Sequence, residues 1–202
     1  METLLVLYPI YPYTYALIGP QEPYEIKRKY GHIYQRLMNK RYPDFQRVWV
    51  MFSDEDSLEK PDMSMLWEGI NIGKNDIVTA CGVTFNDHTT KGIYPANPEI
   101  IINACPQPIE RLVVGGFHFW DCVETVAKYA YEKGIRVMVD DDLTDFFFWK
   151  VKDNRGMPLS SRIPSSFADS IKMEQKRLRK YGFRRAADIR KARENKPWLV
   201  EF

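Results

Sequence analysis

The sequence contains little cysteine, little net charge and no long apolar run, and each absence excludes a class of protein. Three cysteines in 202 residues are too few, and odd in number, for a disulfide framework, so we expect a reducing, cytoplasmic setting. The net charge of +2 gives no general electrostatic reason to bind nucleic acid or an anionic membrane. No apolar stretch approaches the roughly 18 residues of a membrane span, and the first residues lack the basic start of a signal peptide. We therefore expect neither secretion nor membrane insertion.

The chain is rich in apolar and aromatic side chains. Hydrophobic residues make up 45% of the sequence, and aromatic residues make up 14%. This composition suits one sizeable buried core, and the chain shows no internal repeat or low-complexity linker, so residues 1–202 are expected to form a single domain. The aromatic excess needs its own explanation, because tyrosine and tryptophan combine a large apolar area with a polar tip.

Apolar strands alternate with amphipathic helices along the first 140 residues. Short apolar runs bounded by proline or polar residues predict strands, and apolar residues at helical spacing predict helices. The predicted strands are Thr3–Leu7, Arg47–Phe52 with a polar exit loop at Ser53–Asp56, Asp76–Thr79, Arg111–Gly116 and Ile135–Val139. The predicted helices are Tyr24–Tyr42, Asn97–Cys105 and Asp121–Lys133. This alternation implies right-handed crossovers, and therefore a three-layer, doubly wound α/β fold with a parallel, Rossmann-like sheet.

The segment after the strand Arg111–Gly116 is the first place to look for a site, because open α/β sheets bind ligands beyond the carboxyl ends of their strands. Cys122 lies there, at the predicted start of a helix. Amide N–H groups and the helix dipole at such a position favour a thiolate nucleophile and could hold an oxyanion. Asp121 would raise the thiol pKa, although as a helix cap it would order the turn. An inert buried cysteine is the alternative, and Cys81 and Cys105 follow no comparable turn.

The run from Gly116 to Asp142 resembles the signature of the isochorismatase-like cysteine hydrolases, a superfamily that includes nicotinamidases and carbamoylases. The residues that fit in register are Gly116, Cys122, Val123, Thr125, Ala127, Ala130, Gly134 and Asp142. The order of elements extends the resemblance over nearly the full length, with a late helix at Phe167–Tyr181. The resemblance implies an isochorismatase-like fold and a homo-oligomer. It also implies a nucleophilic cysteine, an aspartate base ending the first strand, a lysine after the third strand, and a cis peptide that shapes the oxyanion hole before the cysteine.

Two of the three implied catalytic partners are missing in register. The first strand ends in Tyr8 where the family has its aspartate, and a neutral tyrosine is a poor general base at neutral pH. The third strand continues as Thr79-Ala80-Cys81 where the family has its lysine, and Lys74 and Lys91 are out of register. The candidates for a substitute carboxylate are Asp54, Glu68 and Asp142.

The histidines give no support for a metal site. Some relatives hold zinc through an Asp-x-His and a second histidine, whereas His32, His88 and His118 show no ligand spacing. We therefore expect no metal and no cofactor. His118 lies four residues before Cys122, so it is either a partner of that thiol or a loop histidine hydrogen-bonded to the backbone.

Much of the aromatic excess gathers in two segments. Residues 8–24 hold five of the twelve tyrosines and four of the 13 prolines, and we predict a loop there at the carboxyl edge of the sheet. This loop either lines a binding surface or packs its rings onto the domain edge. The second segment, Phe146–Trp149, either caps the core or forms a dimer contact. The predicted binding residues are Tyr8, Tyr11, Tyr13, Gly116, Phe117, His118 and Trp120.

Two functions are open on the sequence. The first hypothesis is a degenerate family member that binds a small ligand or a protein partner in an aromatic-lined crevice, without hydrolytic turnover. The second is a divergent cysteine hydrolase that cleaves a small amide or related bond with Cys122 as nucleophile. Ile171–Arg193 carries ten of the 29 basic residues, which we interpret as a solvated helix face, with partner or phosphate contact as the alternative.

Overall fold

A computed structural model of the chain describes residues 1–19, 21–145, 147–148 and 195–199. The strands are β1 (Glu2–Leu7), β2 (Gln46–Asp54), β3 (Ser57–Pro61), β4 (Ile77–Thr84), β5 (Arg111–Gly116) and β6 (Val137–Val139). The helices are α1 (Tyr11–Ile18), α2 (Tyr24–Arg41), α3 (Phe85–Lys91), α4 (Pro98–Asn103) and α5 (Glu124–Glu132).

Five strands run parallel in the order β4-β2-β1-β5-β6. Leu7, the last residue of β1, lies opposite Val50 on one side and Gly116 on the other, so the carboxyl ends of the central strands form one edge. β3 pairs with the end of β2 in the antiparallel sense. The predicted doubly wound α/β fold is confirmed, with the correction that the described sheet also contains an antiparallel strand.

Helices cover both faces of the sheet. Alternate residues of β1 point to opposite sides: Leu5 and Leu7 belong to one buried cluster, and Leu4 and Val6 belong to the other. The first cluster includes residues of α4 and α5, and the second includes residues of α1 and α2. Because β1 is buried on both faces, it reads as a continuous apolar run in the sequence.

The strand order reverses between β1 and β5, because the connections that leave their carboxyl ends lead toward opposite edges of the sheet. From β1 the chain passes through α2 to β2, and from β5 it passes through α5 to β6 on the other side. Gly116 makes this point possible, because its φ is 101° and a Cβ there would lie 2.1 Å from the Leu7 carbonyl oxygen. Phe117 N–H then donates to the same carbonyl at 2.9 Å. Ligands of doubly wound folds bind beside such a switch point.

The predicted loop at residues 8–24 is wrong, because Tyr11–Ile18 forms α1. Pro12 lies in the first helical turn, where the missing N–H leaves no bond unmade, and the helix ends at Gly19, before the next proline. The prolines therefore bound a helix instead of preventing one.

The predicted exit loop Ser53–Asp56 is also wrong in part. β2 continues to Asp54 and the chain returns as the mostly exposed strand β3, whose polar sequence carries no apolar signal. Helix α3 was likewise not predicted, although Thr84 caps it by accepting a hydrogen bond from Asp87 N–H at 3.0 Å.

Several predictions on the C-terminal part fall outside the described residues, namely the helix Phe167–Tyr181 and the basic stretch Ile171–Arg193. Of the segment Phe146–Trp149, Phe147 and Phe148 are described, and both are buried against Trp67 in the cluster on the α2 side. No helix in the described residues combines the length and apolar character needed to cross a bilayer.

Candidate functional site

Cys122 lies in a π-helical turn, Phe119–Val123, that leads from β5 into α5. Burial first, and then the Asp121 carboxylate, raise the pKa of its thiol from 9.0 to about 12. Hydrogen bonds from the Tyr94 hydroxyl and the His118 backbone N–H act in the opposite direction but do not outweigh them. The position at the start of a helix therefore does not by itself make Cys122 a thiolate, which was one of the two interpretations open on the sequence.

Tyr94 reaches the thiol from the loop before α4. Its hydroxyl lies 3.1 Å from Thr125 Oγ1, on the first turn of α5, and hydrogen-bonds to the sulfur of Cys122. The residue is 46% exposed, whereas Cys122 is 4% exposed. No sequence pattern points to Tyr94 as a neighbour of Cys122.

Asp121 does not cap the helix, which corrects the sequence prediction. His118 occupies the N-cap position, and its side chain makes no capping hydrogen bond. Asp145 replaces it, because its Oδ2 accepts a hydrogen bond from Phe119 N–H at 2.8 Å. The carboxylate that holds the start of this helix therefore comes from a residue 26 positions later in the chain.

The same Asp145 carboxylate also holds the imidazole of His118. Oδ1 lies 2.8 Å from Nδ1, with the Asp145 side chain 2% exposed and that of His118 23% exposed. The other ring neighbour is Tyr13 of α1, whose centroid lies 4.7 Å from that of the imidazole. The Phe117–His118 peptide is cis, as the family resemblance implies for this loop. The side chain of His118 is therefore oriented by a carboxylate and not by the Cys122 thiol.

Tyr8 lies where β1 ends, at the position of the implied aspartate base. Its φ of 50° is in the left-handed region, which a bulky side chain rarely adopts. The residue is fully buried, and its hydroxyl donates to the Pro95 carbonyl at 2.8 Å. Burial raises the pKa of the phenol well above its ordinary value of 10.0. Tyr8 is thus a neutral hydrogen-bond donor and not a base.

Cys81 of β4 lies near Tyr8, where the resemblance implies a lysine. The two side chains are within hydrogen-bond reach of each other, and burial raises the pKa of the Cys81 thiol. Lys91 is exposed and pairs with Asp87 at 2.7 Å, while Lys74 precedes β4 at the opposite, amino end of the strand. Neither of these two lysines takes the implied position.

Two of the carboxylates proposed as substitute bases have partners of their own, because Asp54 accepts a hydrogen bond from the Asp56 backbone N–H and Asp142 pairs with Arg41. Glu68 Oε2 is buried without a hydrogen-bond partner among the described residues, and Glu68, after burial, raises the pKa of Tyr15. The carboxylate that the structure brings to the site is Asp145, which the sequence analysis does not single out.

Partly exposed aromatic rings extend from His118 along the carboxyl edge of the sheet. Tyr13 lies 6.0 Å from the ring of Phe85, which in turn lies 6.5 Å from that of His88. His88 Nδ1 lies 2.9 Å from the carbonyl oxygen of Ile93. We refer to Tyr13, Phe85 and His118 as the aromatic crevice. Phe85 carries no sequence signal for this role, because its placement depends on the unpredicted helix α3.

Of the other predicted binding residues, Tyr11, Gly116 and Phe117 lie outside the aromatic crevice. Phe117 is fully buried in the cluster on the α2 side, with its ring 6.3 Å from that of Tyr34, so the structure gives it a packing role. Tyr11 is 38% exposed and pairs along α1 with the Tyr15 ring at 5.4 Å. Gly116 shapes the turn, and Trp120 is described by its backbone alone. Among the described residues, no three His, Cys, Asp or Glu side chains cluster to hold a metal ion.

The chain resembles solved structures of isochorismatase-family proteins, as the run around Cys122 predicts. An isochorismatase from Pseudomonas putida is 16% identical, with 71% of this chain and 70% of that chain covered and a TM-score of 0.43. N-carbamoylsarcosine amidase from Thermoplasma acidophilum is 19% identical, with 90% and 94% covered and a TM-score of 0.43. Pyrazinamidase of Pyrococcus horikoshii, solved in complex with zinc, is 12% identical, with 87% and 95% covered and a TM-score of 0.44.

No family model and no curated protein matches the chain. Identities this low carry no activity over from the solved structures, so the function has to come from the site itself.

Proposed function

We propose that this chain is a divergent isochorismatase-like protein that binds a small ligand at the carboxyl ends of β1 and β5, without hydrolysis through Cys122. The observation that carries the proposal is the burial of Cys122, which is 4% exposed and next to Asp121 in the chain. With a pKa of about 12, roughly one Cys122 side chain in 10⁵ is ionised at neutral pH. A nucleophile in that state depends on a neighbouring base.

No such base occupies the positions that the family resemblance implies. Tyr8 keeps its proton and uses it to bond the Pro95 carbonyl, and the Cys81 thiol is itself buried and neutral. Asp121, the carboxylate nearest to Cys122 in sequence, raises the thiol pKa. The residues at these positions therefore support a degenerate site, in which neither the implied aspartate nor the implied lysine activates the cysteine.

The site offers binding features in place of activation. Tyr13 and Phe85 give a partly exposed apolar wall, and His118 adds an oriented polar group beside them. Small-molecule sites commonly combine aromatic lining with a few fixed polar groups, and in doubly wound folds they lie at this edge. These features support ligand binding at the aromatic crevice.

A cysteine hydrolase is the second candidate. The observation in its favour is that the Tyr94 hydroxyl and the His118 N–H both hydrogen-bond to the sulfur, since donors of this kind stabilise a thiolate. It ranks second because burial and Asp121 together exceed those two bonds.

Ammonia release from small amides separates the two candidates. We would incubate acetamide and benzamide with high concentrations of the wild-type protein and of Cys122→Ala, across neutral pH. We expect both proteins to match the protein-free blank. Release that depends on Cys122 would overturn the proposal and establish the hydrolase. The matched control is Cys105→Ala, which removes an equally buried thiol from another part of the core.

A further inference from the structure

We infer that the aromatic crevice takes a small aromatic ligand bearing an N–H donor, and that His118, held by Asp145, accepts the hydrogen bond from that ligand. This inference rests on the proposed ligand-binding function and names the ligand class and the polar group that recognises it.

The tautomer of His118 follows from its partner. Asp145 Oδ1 lies 2.8 Å from Nδ1, and Oδ2 is already occupied by Phe119 N–H, so the carboxylate accepts at both oxygens. Nδ1 therefore carries the ring proton, and Nε2 of the neutral imidazole is a hydrogen-bond acceptor. The two hydrogen bonds hold the Asp145 carboxylate, and with it the His118 ring, at the start of the helical turn that follows β5.

Nε2 is available to a ligand. The His118 side chain is 23% exposed, and within the described part of the chain the hydrogen-bond partner of its ring is Asp145 through Nδ1. The adjacent Tyr13 ring, tilted by 52° at 4.7 Å, provides an apolar surface beside the imidazole. An aromatic molecule placed against Tyr13 can direct an N–H group at Nε2.

The charges around the crevice disfavour an acidic ligand. After burial, Cys122 and then Asp121, Cys81 and Asp145 raise the pKa of Tyr13, so two carboxylates lie near its hydroxyl. A carboxylate placed beside Tyr13 would meet the same repulsion, whereas a neutral N–H donor would not.

Indole and 1-methylindole form a matched pair of probes, because they differ in the N–H group and share the same ring system. Binding is followed through the ring ¹⁵N signals of His118, which report the protonation of each ring nitrogen directly and are assigned with His118→Gln. We expect indole to bind about fivefold more tightly than 1-methylindole, the ratio for a hydrogen bond of about 1 kcal/mol. We expect indole-3-carboxylate to bind more weakly than indole.

Two variants test whether Asp145 causes the preference for indole over 1-methylindole. Asp145→Asn should reduce the indole preference, with little change for 1-methylindole, and should shift the ring proton toward Nε2. The exposed Glu132 of α5 pairs with Lys128 at 3.7 Å, so Glu132→Gln is a control that should change neither affinity.

Equal affinity for indole and 1-methylindole would overturn the inference while leaving ligand binding in place. A wild-type His118 ring that carries its proton on Nε2 would overturn it without any variant or ligand. Failure of the proposed function shows separately, as Cys122-dependent ammonia release.

Discussion

Alkylation of Cys122 by iodoacetamide tests the state of the thiol directly. The reagent reacts with the thiolate, so its rate follows the ionised fraction. At about pH 8, a thiol of pKa 9.0 is roughly one-tenth ionised, whereas one of pKa about 12 is roughly one part in 10⁴ ionised. We therefore expect Cys122 to react about 10³-fold more slowly than a free cysteine peptide, and more slowly still because the residue is 4% exposed.

Cys105 provides an internal control in the same molecule. It is 2% exposed, and burial alone raises the pKa of its thiol to about 12. Quantifying both alkylated peptides by mass spectrometry over a pH series compares two buried thiols, of which Cys122 also receives hydrogen bonds from Tyr94 and His118. If burial dominates, the two rates should agree within about tenfold and rise together with pH.

Rapid alkylation of Cys122 at about pH 6, with Cys105 unreactive, would refute this reasoning. It would mean that the two hydrogen bonds outweigh burial. Tyr94→Phe then identifies the source, because it removes the hydroxyl that lowers the thiol pKa and keeps the aromatic ring. Equal labelling of all three cysteine peptides would instead report global unfolding, which a denaturant series detects.

Three further predictions concern stability, each measured by urea denaturation. Gly116→Ala should lower the free energy of unfolding by roughly 3 kcal/mol or more, because its Cβ would lie 2.1 Å from the Leu7 carbonyl oxygen. Gly134→Ala, at φ 79° with open space around it, should lower the free energy of unfolding by about 1 kcal/mol. Equal losses in the two variants would contradict the steric explanation. Tyr8→Phe should cost about 1 kcal/mol, because it leaves the Pro95 carbonyl without its buried donor, and an unchanged midpoint would show that this bond contributes nothing. Between about pH 9 and about pH 12 the free energy of unfolding should fall, because the buried thiols stay protonated in the folded state but ionise in the unfolded state. Each thiol contributes up to about 1.4 kcal/mol per pH unit to this fall. Equal stability at about pH 7 and about pH 10 would contradict the raised pKa values.

The strands could be predicted because a strand that is buried on both faces has a continuous apolar sequence. Every residue of β1 from Thr3 to Leu7 is buried, and the last four of them, Leu4–Leu7, are all apolar. Helix α1 left no comparable mark. Its prolines and tyrosines are common in loops, and the pattern does not show that Pro12 falls in a first turn, where proline is tolerated.

The contacts that define the site join residues far apart in sequence. Asp145 meets Phe119 and His118 across 26 and 27 positions, and Tyr94 meets Thr125 across 31. Spacing rules describe neighbours on one helix or strand, so they cannot pair residues that the connections before and after β5 bring together. The sequence located the switch point and its cysteine, but the partners of both depend on the folded chain.

Whether Cys122 is a thiol or a thiolate depends on two opposing effects, the helix terminus and burial, whose sizes the position in the sequence does not reveal. A favourable helix terminus contributes about 0.3 to 1 kcal/mol to a nearby negative charge, and about 2 kcal/mol in partly buried geometries. A rise in the thiol pKa from 9.0 to about 12 corresponds to about 4 kcal/mol in favour of the neutral form. Burial therefore decides the protonation of Cys122. In the same loop, the two carboxylate oxygens of Asp145 bind the His118 ring and the Phe119 N–H. The polar group that is oriented at this site is therefore an imidazole and not a thiolate.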